Sequence, residues 1–248
     1  MQSEASCEVE RIEQMIRHVL WRSGSAGVVV GLSGGVDSAL AASLCVGALG
    51  KEKVRGFILP AAVSREEDTR DAQNFCDILG ITCRTIAIQP ILDTFREAIS
   101  SGTNTHLEGN LMARIRMALL YFEANRENLL VCGTSNRSEY MLGYCTKFGD
   151  NAADLQPLLH LYKTEVYELA CRRGIPAQIL SKPPSAGLWV GQTDEEEIGL
   201  RYAEIDRALQ SLERNAWVPA YPVEEKVLKM VQRSQHKRNP PFNLLFSP

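Results

Sequence analysis

Residues 26–38, AGVVVGLSGGVDS, suggest the fold of the whole chain. Their first part is a continuous apolar run rich in valine, which is typical of a strand covered on both faces of a parallel sheet. Residues 31–38 follow as a loop with three glycines and two serines, and residues 38–49 have the pattern of a helix. Such a turn offers backbone N–H groups and the positive end of a helix dipole to an anion. The stretch therefore predicts an α/β fold with an anion site after its first strand.

The rest of the chain alternates predicted strands with predicted helices. The pattern predicts strands over residues 26–32, 53–60, 81–88 and 129–133, and helices over residues 8–21, 38–49, 64–79, 105–126, 163–173, 193–212 and from after Pro222 to near Gln235. Ser64 with Glu67 and Thr193 with Glu196 have the spacing of capping boxes, and Gly80 is predicted to end the helix before it. Strands alternating with helices imply a parallel sheet flanked by helices. We predict one α/β domain over residues 1–248, with a helical C-terminal part.

Composition excludes several classes of protein. The chain has 248 residues, 45% hydrophobic and 23% charged, which is ordinary for a soluble globular protein. The net charge of -3 gives no reason to expect a nucleic-acid partner. The longest uncharged run, residues 23–36, is short for a membrane span, and the N-terminus lacks the apolar region of a signal peptide. Seven cysteines without a C-x-x-C pair argue against a disulfide framework or a zinc ribbon. We expect a cytoplasmic protein without a membrane partner.

The aspartate in the glycine-rich loop, Asp37, needs an explanation. The loop lacks the lysine of the Walker pattern and the glycine spacing of G-x-G-x-x-G, and instead has the pattern S-G-G-x-D-S. Phosphate would repel Asp37 unless a cation lay between them, and Mg²⁺ takes one or two carboxylates together with phosphate oxygens. We therefore predict that Asp37 is a magnesium ligand and that the anion is a polyphosphate. A tight structural turn, with Asp37 near a helix N-terminus, is the alternative.

The motif SGGVDS resembles the PP-loop of N-type ATP pyrophosphatases, which cleave ATP between the α and β phosphates and activate a substrate oxygen as an adenylate. Further segments narrow the resemblance to the NAD synthetases: GNLMARIRM (109–117), GTSNRSEYMLGYCTKFGDNAADLQPL (133–158), LYKTEVYELA (161–170), KPPSAGLWVGQTDEEEIG (182–199) and HKR (236–238). The resemblance implies a Rossmann-like fold of the adenine nucleotide alpha-hydrolase type. It also implies a C–N-bond-forming ligase that uses ATP and ammonia to convert deamido-NAD to NAD, the last step of NAD biosynthesis, and releases AMP and pyrophosphate.

The resemblance also implies roles for individual residues. Asp37 and Glu139 would hold Mg²⁺, and with Lys163 they would form the catalytic group. The implied ATP-binding residues are Gly31, Leu32, Ser33, Gly34, Gly35, Val36, Asp37, Ser38, Thr134, Lys163 and Ser185. The implied deamido-NAD-binding residues are Arg114, Lys147, Asp150, Asp154, His236 and Lys237. Many relatives carry threonine at position 185, and we expect the hydroxyl contact to survive as serine.

Several of these residues have a plainer interpretation. Glu139 and Lys163 could be solvated residues at helix starts, and Arg114 could be a structural arginine on a helix face. His236 and Lys237 could cap a helix end and complement its dipole. If they contact the substrate instead, they reach the site by folding back or across a dimer. Family members are typically homodimers. Glutamine-dependent relatives carry an additional amidase domain for which this chain leaves no room, so free ammonia is the expected nitrogen source.

Two competing functions remain at this point. One is another PP-loop enzyme, such as a GMP-synthetase amination domain or a tRNA-modifying thiolase or lysidine-forming enzyme. The net charge and the missing C-x-x-C count against the tRNA-modifying versions. The other is a nucleotide-binding protein without catalysis, which would bind ATP without releasing pyrophosphate. The presence of both Asp37 and Glu139 argues against it. The sequence offers no obvious protein nucleophile, so catalysis would rest on positioning and electrostatics.

Overall fold

The protein is described by a computed structural model that covers residues 2–99 and 104–241, with side chains from residue 7 onward. Among these residues, four parallel strands form one sheet in the order β3-β2-β1-β4. They are β1 (Gly27–Gly31), β2 (Val54–Ile58), β3 (Thr82–Thr85) and β4 (Leu129–Cys132). Each strand lies within its predicted range. The parallel sheet of an α/β fold is therefore confirmed.

Helices cover both faces of this sheet. Those of the described residues are α1 (Gln2–Ser23), α2 (Val36–Leu49), α3 (Glu66–Leu79), α4 (Gln89–Ile99), α5 (Thr105–Glu127), α6 (Arg137–Leu142), α7 (Lys163–Arg172), α8 (Ala177–Leu180), α9 (Asp194–Ile198), α10 (Tyr202–Arg214), α11 (Pro222–Arg233) and α12 (Gln235–Arg238). Because side chains alternate along a strand, Val28 and Val30 pack into the core that includes α1, α2 and α7. Val29 packs into the opposite core with α4 and α5. The central strand is thus buried on both faces, as its valine run predicts.

The helical C-terminal part has a core of its own. Apolar side chains of α10 and α11, including Leu209 and Val227, pack there with Leu142 of α6. The core of the helical C-terminal part attaches α6 firmly to the C-terminal helices, and α6 is one of the elements that carry the candidate site.

No helix in the part of the chain that the structure describes is long and apolar enough to cross a membrane.

Three sequence predictions about helix ends need correction. Residues 193–212 are divided into α9 and α10 because Gly199 adopts a left-handed conformation, with φ of 69°, and ends α9. The predicted capping box at Thr193 is wrong, since its side chain makes no cap hydrogen bond. The one at Ser64 is also wrong: α3 begins two residues later, and the Ser64 hydroxyl accepts from the N–H of Ala61 in a preceding turn. Gly80 does end α3, as predicted.

Candidate active site

The glycine-rich loop between β1 and α2 is held in a closed turn by its two serines. The hydroxyls of Ser33 and Ser38 lie 3.2 Å apart. The N–H of Gly35 donates to Ser33 (3.3 Å), and the Ser38 hydroxyl donates to the carbonyl of Gly35 (3.0 Å). Gly35 occupies the N-cap position of α2, and no side-chain hydrogen bond caps this N-terminus in the described structure. The first N–H groups of α2 are therefore available to an anion.

Gly34 allows this loop to approach α3 closely. Its φ is +81°, a conformation that side-chain-bearing residues rarely adopt, and a Cβ there would lie 2.4 Å from the carbonyl oxygen of Asp68. A glycine is required on both grounds. The start of α3 therefore forms one wall of the loop.

Three charged residues meet beside the loop, and we call them the Lys163 cluster: Lys163, Asp37 and Glu139. The ammonium of Lys163 lies 2.6 Å from Oδ2 of Asp37 and 3.0 Å from Oε1 of Glu139. The Lys163 side chain is only 3% exposed, and those of the two carboxylates are 18% and 17% exposed. The plainer interpretation of Lys163 and Glu139 as solvated helix-start residues is therefore wrong. The structure brings together the three residues predicted to be catalytic.

The Lys163 cluster stands at the carboxyl edge of the sheet because of its strand order. β1 and β4 are parallel neighbours, so the segments after them leave the sheet side by side. Asp37 lies in the first turn of α2, after β1, and Glu139 lies in the first turn of α6, after β4. Ligand sites of open α/β sheets lie at this edge.

Two buried polar residues that sequence analysis missed fix the cluster. Asn136 caps α6 by accepting from the N–H of Glu139 (3.0 Å), and its amide donates to Oδ1 of Asp37 (2.9 Å). Asp206 of α10 accepts from the N–H of Thr164 (2.9 Å) and from the hydroxyl of Ser138, which in turn accepts from the N–H of Lys163. Both carboxylates and the ammonium are thus held by helix starts. The cap position of Asn136 was visible in GTSNRSE, whereas nothing local distinguished Asp206.

The charges of the cluster are not balanced. Burial raises the pKa of Glu139 to about 7; the Lys163 ammonium lowers it, and the carboxylates of Asp37 and Asp194 raise it. Burial opposes the charge of Lys163, but the Asp37 and Glu139 carboxylates still hold its pKa above the ordinary value. The ring of Tyr202 lies 5.1 Å from the ammonium. When both carboxylates are ionised, the single ammonium leaves an excess of negative charge, which a further cation would relieve.

The donor set fits a magnesium ion that arrives with a polyphosphate. Among the described residues, no group of three or more His, Cys, Asp or Glu side chains could hold a metal ion. Asp37 and Glu139 nevertheless converge on one ammonium, so two carboxylates are aimed at one point. Mg²⁺ is often bound by one or two carboxylates, with phosphate oxygens and waters completing its shell. The residues present suit that case rather than a metal held by protein alone.

A second loop, residues 182–193, lies between the glycine-rich loop and α5. Its first residue, Lys182, donates to the carbonyl of Gly34 (3.3 Å) and to Asp68 (2.7 Å). Asp194, just after the loop, accepts from the N–H of Ala186 (3.0 Å) and from the hydroxyl of Tyr202 (3.0 Å). Sequence analysis singled out neither Lys182 nor Asp194. Both ends of the loop are therefore attached to the site.

The hydroxyl of Ser185 is used within this loop. It donates to the carbonyl of Gln192 (2.7 Å) and accepts from the N–H of Gly187 (3.1 Å). Farther along, the ring of Trp189 lies edge-on to His106 of α5, with centroids 5.1 Å apart. The contact of Ser185 with ATP stays a prediction, and the loop rests on α5.

Most residues predicted to bind deamido-NAD surround the segment 143–151. Lys147 donates to the carbonyl of His236 (2.5 Å), and Arg114 donates to the carbonyl of Lys147 (3.2 Å). Lys237 donates to the carbonyls of Gly143 (2.7 Å) and Cys145 (2.6 Å). The C-terminal segment thus folds back within its own chain. Its lysine thereby satisfies the carbonyl of Gly143, which ends α6, whereas the capping interpretation expected the basic residues to cap the end of their own helix.

The two aspartates of this region have structural hydrogen bonds. Asp150 accepts from the N–H of Thr146 (2.8 Å). Asp154 accepts from the N–H of Val131 in β4 (2.7 Å) and from the hydroxyl of Tyr121 (3.4 Å). Thr134 follows β4 and is half-buried at the carboxyl edge of the sheet. The substrate contacts of these residues stay predictions.

Comparison with known proteins gives consistent results. Residues 8–241 match the sequence model of a family described as NAD synthase. A protein of Methanoregula boonei named NH(3)-dependent NAD(+) synthetase is 57% identical, over 100% of both chains. A solved structure described as NMN synthetase from Francisella tularensis has a TM-score of 0.90 and 38% identity, covering 98% of this chain and 99% of that one. The NH3-dependent NAD synthetase from Campylobacter jejuni has a TM-score of 0.82 and 35% identity, covering 97% of this chain and 98% of that one.

Proposed function

The chain belongs to the NAD synthase family and is a ligase, and we propose that it makes NAD from deamido-NAD, ATP and ammonia, releasing AMP and pyrophosphate. The observation that carries this proposal is the Lys163 cluster beside the glycine-rich loop. The loop offers N–H groups to phosphate, and the cluster offers two carboxylates to the cation that must accompany ATP. The names of the relatives support ammonia as the nitrogen source.

The proposed chemistry overcomes a poor leaving group. The nicotinate carboxylate cannot expel oxide, so its oxygen first attacks the α-phosphorus of ATP, breaks the bond to the β-phosphate oxygen and releases pyrophosphate. Ammonia then attacks the acyl carbon of the adenylate, loses a proton and expels AMP. The residues of this chain bind and orient the reactants: the glycine-rich loop and Lys163 bind phosphate oxygens, with Thr134 and Ser185 as further ATP contacts.

Asp37 and Glu139 would hold Mg²⁺, which supplies charge that screens the attacking carboxylate from the phosphates and stabilises the departing pyrophosphate. Lys163, fixed by Ser138, keeps its ammonium between these carboxylates. No cysteine acts as a nucleophile in this proposal. Burial raises the pKa of Cys145 to about 12, so its thiol stays protonated at neutral pH.

The binding of deamido-NAD is assigned to the residues around segment 143–151. They are Arg114, Lys147, Asp150, Asp154, His236 and Lys237. The fold-back of the C-terminal segment supports this assignment, because it brings Lys147 and His236 together without a second chain. The aspartates would hold ribose hydroxyls or the cationic pyridinium, or guide ammonium. We further expect a cytoplasmic homodimer.

A second candidate differs only in the size of the substrate. The structure described as NMN synthetase aligns with nearly the whole chain at 38% identity. The same adenylation and amidation on nicotinate mononucleotide would give NMN. The two candidates share the glycine-rich loop and the Lys163 cluster. They differ in whether the site binds the additional AMP half of the dinucleotide.

One assay tests both candidates. The protein is incubated with ATP, Mg²⁺ and either deamido-NAD or nicotinate mononucleotide, with ammonium or glutamine, and NAD, NMN and AMP are quantified. We expect NAD and AMP in equal amounts from deamido-NAD with ammonium. A higher kcat/KM for the mononucleotide would favour the second candidate. Absence of AMP in every arm would contradict the proposed chemistry and favour a binding protein.

A further inference from the structure

A second group of three charged residues borders the glycine-rich loop, and we call it the Lys182 cluster: Lys182, Asp68 and Asp71. The ammonium of Lys182 lies 2.7 Å from Oδ1 of Asp68 and 2.5 Å from Oδ2 of Asp71. It also donates to the carbonyl of Gly34 (3.3 Å). The Lys182 side chain is 12% exposed. One ammonium thus connects the glycine-rich loop, α3 and the start of loop 182–193.

The geometry at Gly34 shows why this connection matters for the loop. The peptide carbonyl of Asp68 lies where a side chain of residue 34 would stand, so α3 and the loop are in direct contact. The Lys182 ammonium fixes the same contact from another side, through the carbonyl of Gly34 and the side chain of Asp68. A shift of loop 182–193 would therefore disturb the turn whose N–H groups are to bind phosphate.

The construction of the Lys182 cluster argues against a direct role in binding ATP. Its ammonium faces two carboxylates, as that of Lys163 does, but it also donates to the backbone carbonyl of Gly34. The carboxylates lie at i and i+3 of one helix. They do not come together from separate strand ends as those of the Lys163 cluster do. Lys182 is therefore engaged on the protein side of the loop, between the backbone of Gly34 and the side chains of α3.

We propose that Lys182 is a positioning residue, which attaches loop 182–193 to the glycine-rich loop and holds that loop in its phosphate-binding shape. At the other end, Asp194 holds the loop through Ala186 and Tyr202. The loop is thus fixed at both ends, while Trp189 between them rests on His106. The proposal rests on the proposed function only for the identity of the reaction.

The first test is kinetic and uses Lys182→Met, Lys182→Arg and a matched control, Lys226→Met. Lys226 also donates to a glycine carbonyl, that of Gly199 (2.9 Å), but stands outside the site. Loss of ground-state binding raises KM and leaves kcat nearly unchanged. We expect the KM for ATP to rise about tenfold in Lys182→Met, with kcat within about threefold, and to recover in part in Lys182→Arg. Lys226→Met should match the wild type.

A second variant separates positioning from direct phosphate binding. The double substitution Asp68→Asn with Asp71→Asn keeps the lysine and removes both negative charges. If Lys182 positions the loop, the KM for ATP should rise, because α3 loses its ion pairs with the loop. If Lys182 binds phosphate, the freed ammonium should lower the KM for ATP, and that result would overturn the proposal.

A third measurement needs no substrate other than Mg·ATP and so stands apart from the identity of the reaction. In a Trp21→Phe, Trp217→Phe background, Trp189 is the remaining tryptophan and reports on loop 182–193. We expect Lys182→Met to increase acrylamide quenching of Trp189, and calorimetry to show weaker binding of Mg·ATP. Unchanged quenching and binding would overturn the proposal even if the wild type makes NAD. If Lys182→Met increases quenching and weakens Mg·ATP binding but the wild type makes no NAD, the positioning role of Lys182 stands and the proposed function is refuted.

Discussion

The Lys163 and Lys182 clusters each combine one lysine with two acidic residues, but they are built differently. In each, one lysine lies between two carboxylates and next to the glycine-rich loop. The carboxylates of the Lys163 cluster come from two helices, α2 and α6, that start after neighbouring strands. Those of the Lys182 cluster come from α3 alone. One ammonium and two carboxylates can therefore serve different purposes, depending on which backbone segments they join.

The surroundings of the Lys163 cluster concentrate negative charge. Asp194, itself buried at 3% exposure, adds a third carboxylate that raises the pKa of Glu139. The ring of Tyr202 covers the ammonium. Lys182, by contrast, donates a further hydrogen bond to the backbone carbonyl of Gly34. The Lys163 cluster therefore favours binding of a further cation, whereas Lys182 is bound to the backbone of the glycine-rich loop.

The first prediction tests whether the two clusters have different roles by removing one carboxylate from each. Asp37→Asn should lower AMP release by about 10³-fold or more, because the proposed metal ligand and a partner of Lys163 are both lost. Its melting temperature should stay near that of the wild type, since Lys163 keeps Glu139 and Asn136 keeps its cap. Asp68→Asn is the matched control, with kcat expected within about threefold. A normal rate in Asp37→Asn would falsify the assignment of Asp37.

A second prediction concerns the contact between α3 and the loop. Gly34→Ala should destabilise the protein by about 1–3 kcal/mol from its positive φ alone, and further because Cβ overlaps the carbonyl of Asp68. Gly187→Ala is the matched control. Its φ is +62°, but among the described residues a Cβ there would meet no atom within 4 Å. Chemical denaturation and the KM for ATP measure both. Equal losses in the two variants would show that the contact with α3 contributes nothing.

A third prediction addresses how Lys163 is held. Asp206→Asn replaces an acceptor of two hydrogen bonds with a group that can satisfy only one of them, and a buried group left unpaired costs about 1–3 kcal/mol. We expect a lower melting temperature and a roughly tenfold lower kcat, because the start of α7 shifts and carries Lys163 with it. Arg207→Gln, an exposed change on the same helix, is the control. A lower melting temperature with normal kcat would show that Asp206 supports the fold alone.

The Lys163 cluster could be predicted because its parts follow strand ends. A buried valine run, a glycine-rich turn and a polar segment after another strand are local patterns, and parallel strands bring their carboxyl ends to one edge. The resemblance then selected Lys163. The presence of an α/β sheet and the position of the site both follow from residues near β1 and β4.

The Lys182 cluster could not be predicted in this way. Asp68 and Asp71 lie in an acidic helix start, EEDTRD, whose spacing matches that of any solvated helix face. Their partner comes from a distant loop, and no periodicity connects the two. The path of His236 and Lys237 was also undecided, because it depends on how α11 packs on α6. Packing between distant segments has no local signal, and the polar contacts that depend on it were the ones missed.

The prediction with the smallest expected effect concerns Cys145, between the Lys163 cluster and the C-terminal segment. Burial and the Asp150 carboxylate together raise the pKa of Cys145 to about 12, although the Lys237 ammonium acts to lower it. A raised pKa means that the thiol remains protonated, so its alkylation by iodoacetamide should stay slow from pH 7 to 9, whereas the exposed Cys7 and Cys171 react. Mass spectrometry of the alkylated protein measures each site. Lys237→Met should slow Cys145 further without affecting Cys7. Fast labelling of Cys145 at pH 8 would mean that water reaches this region freely, and the Lys163 cluster would then be less isolated than its burial indicates.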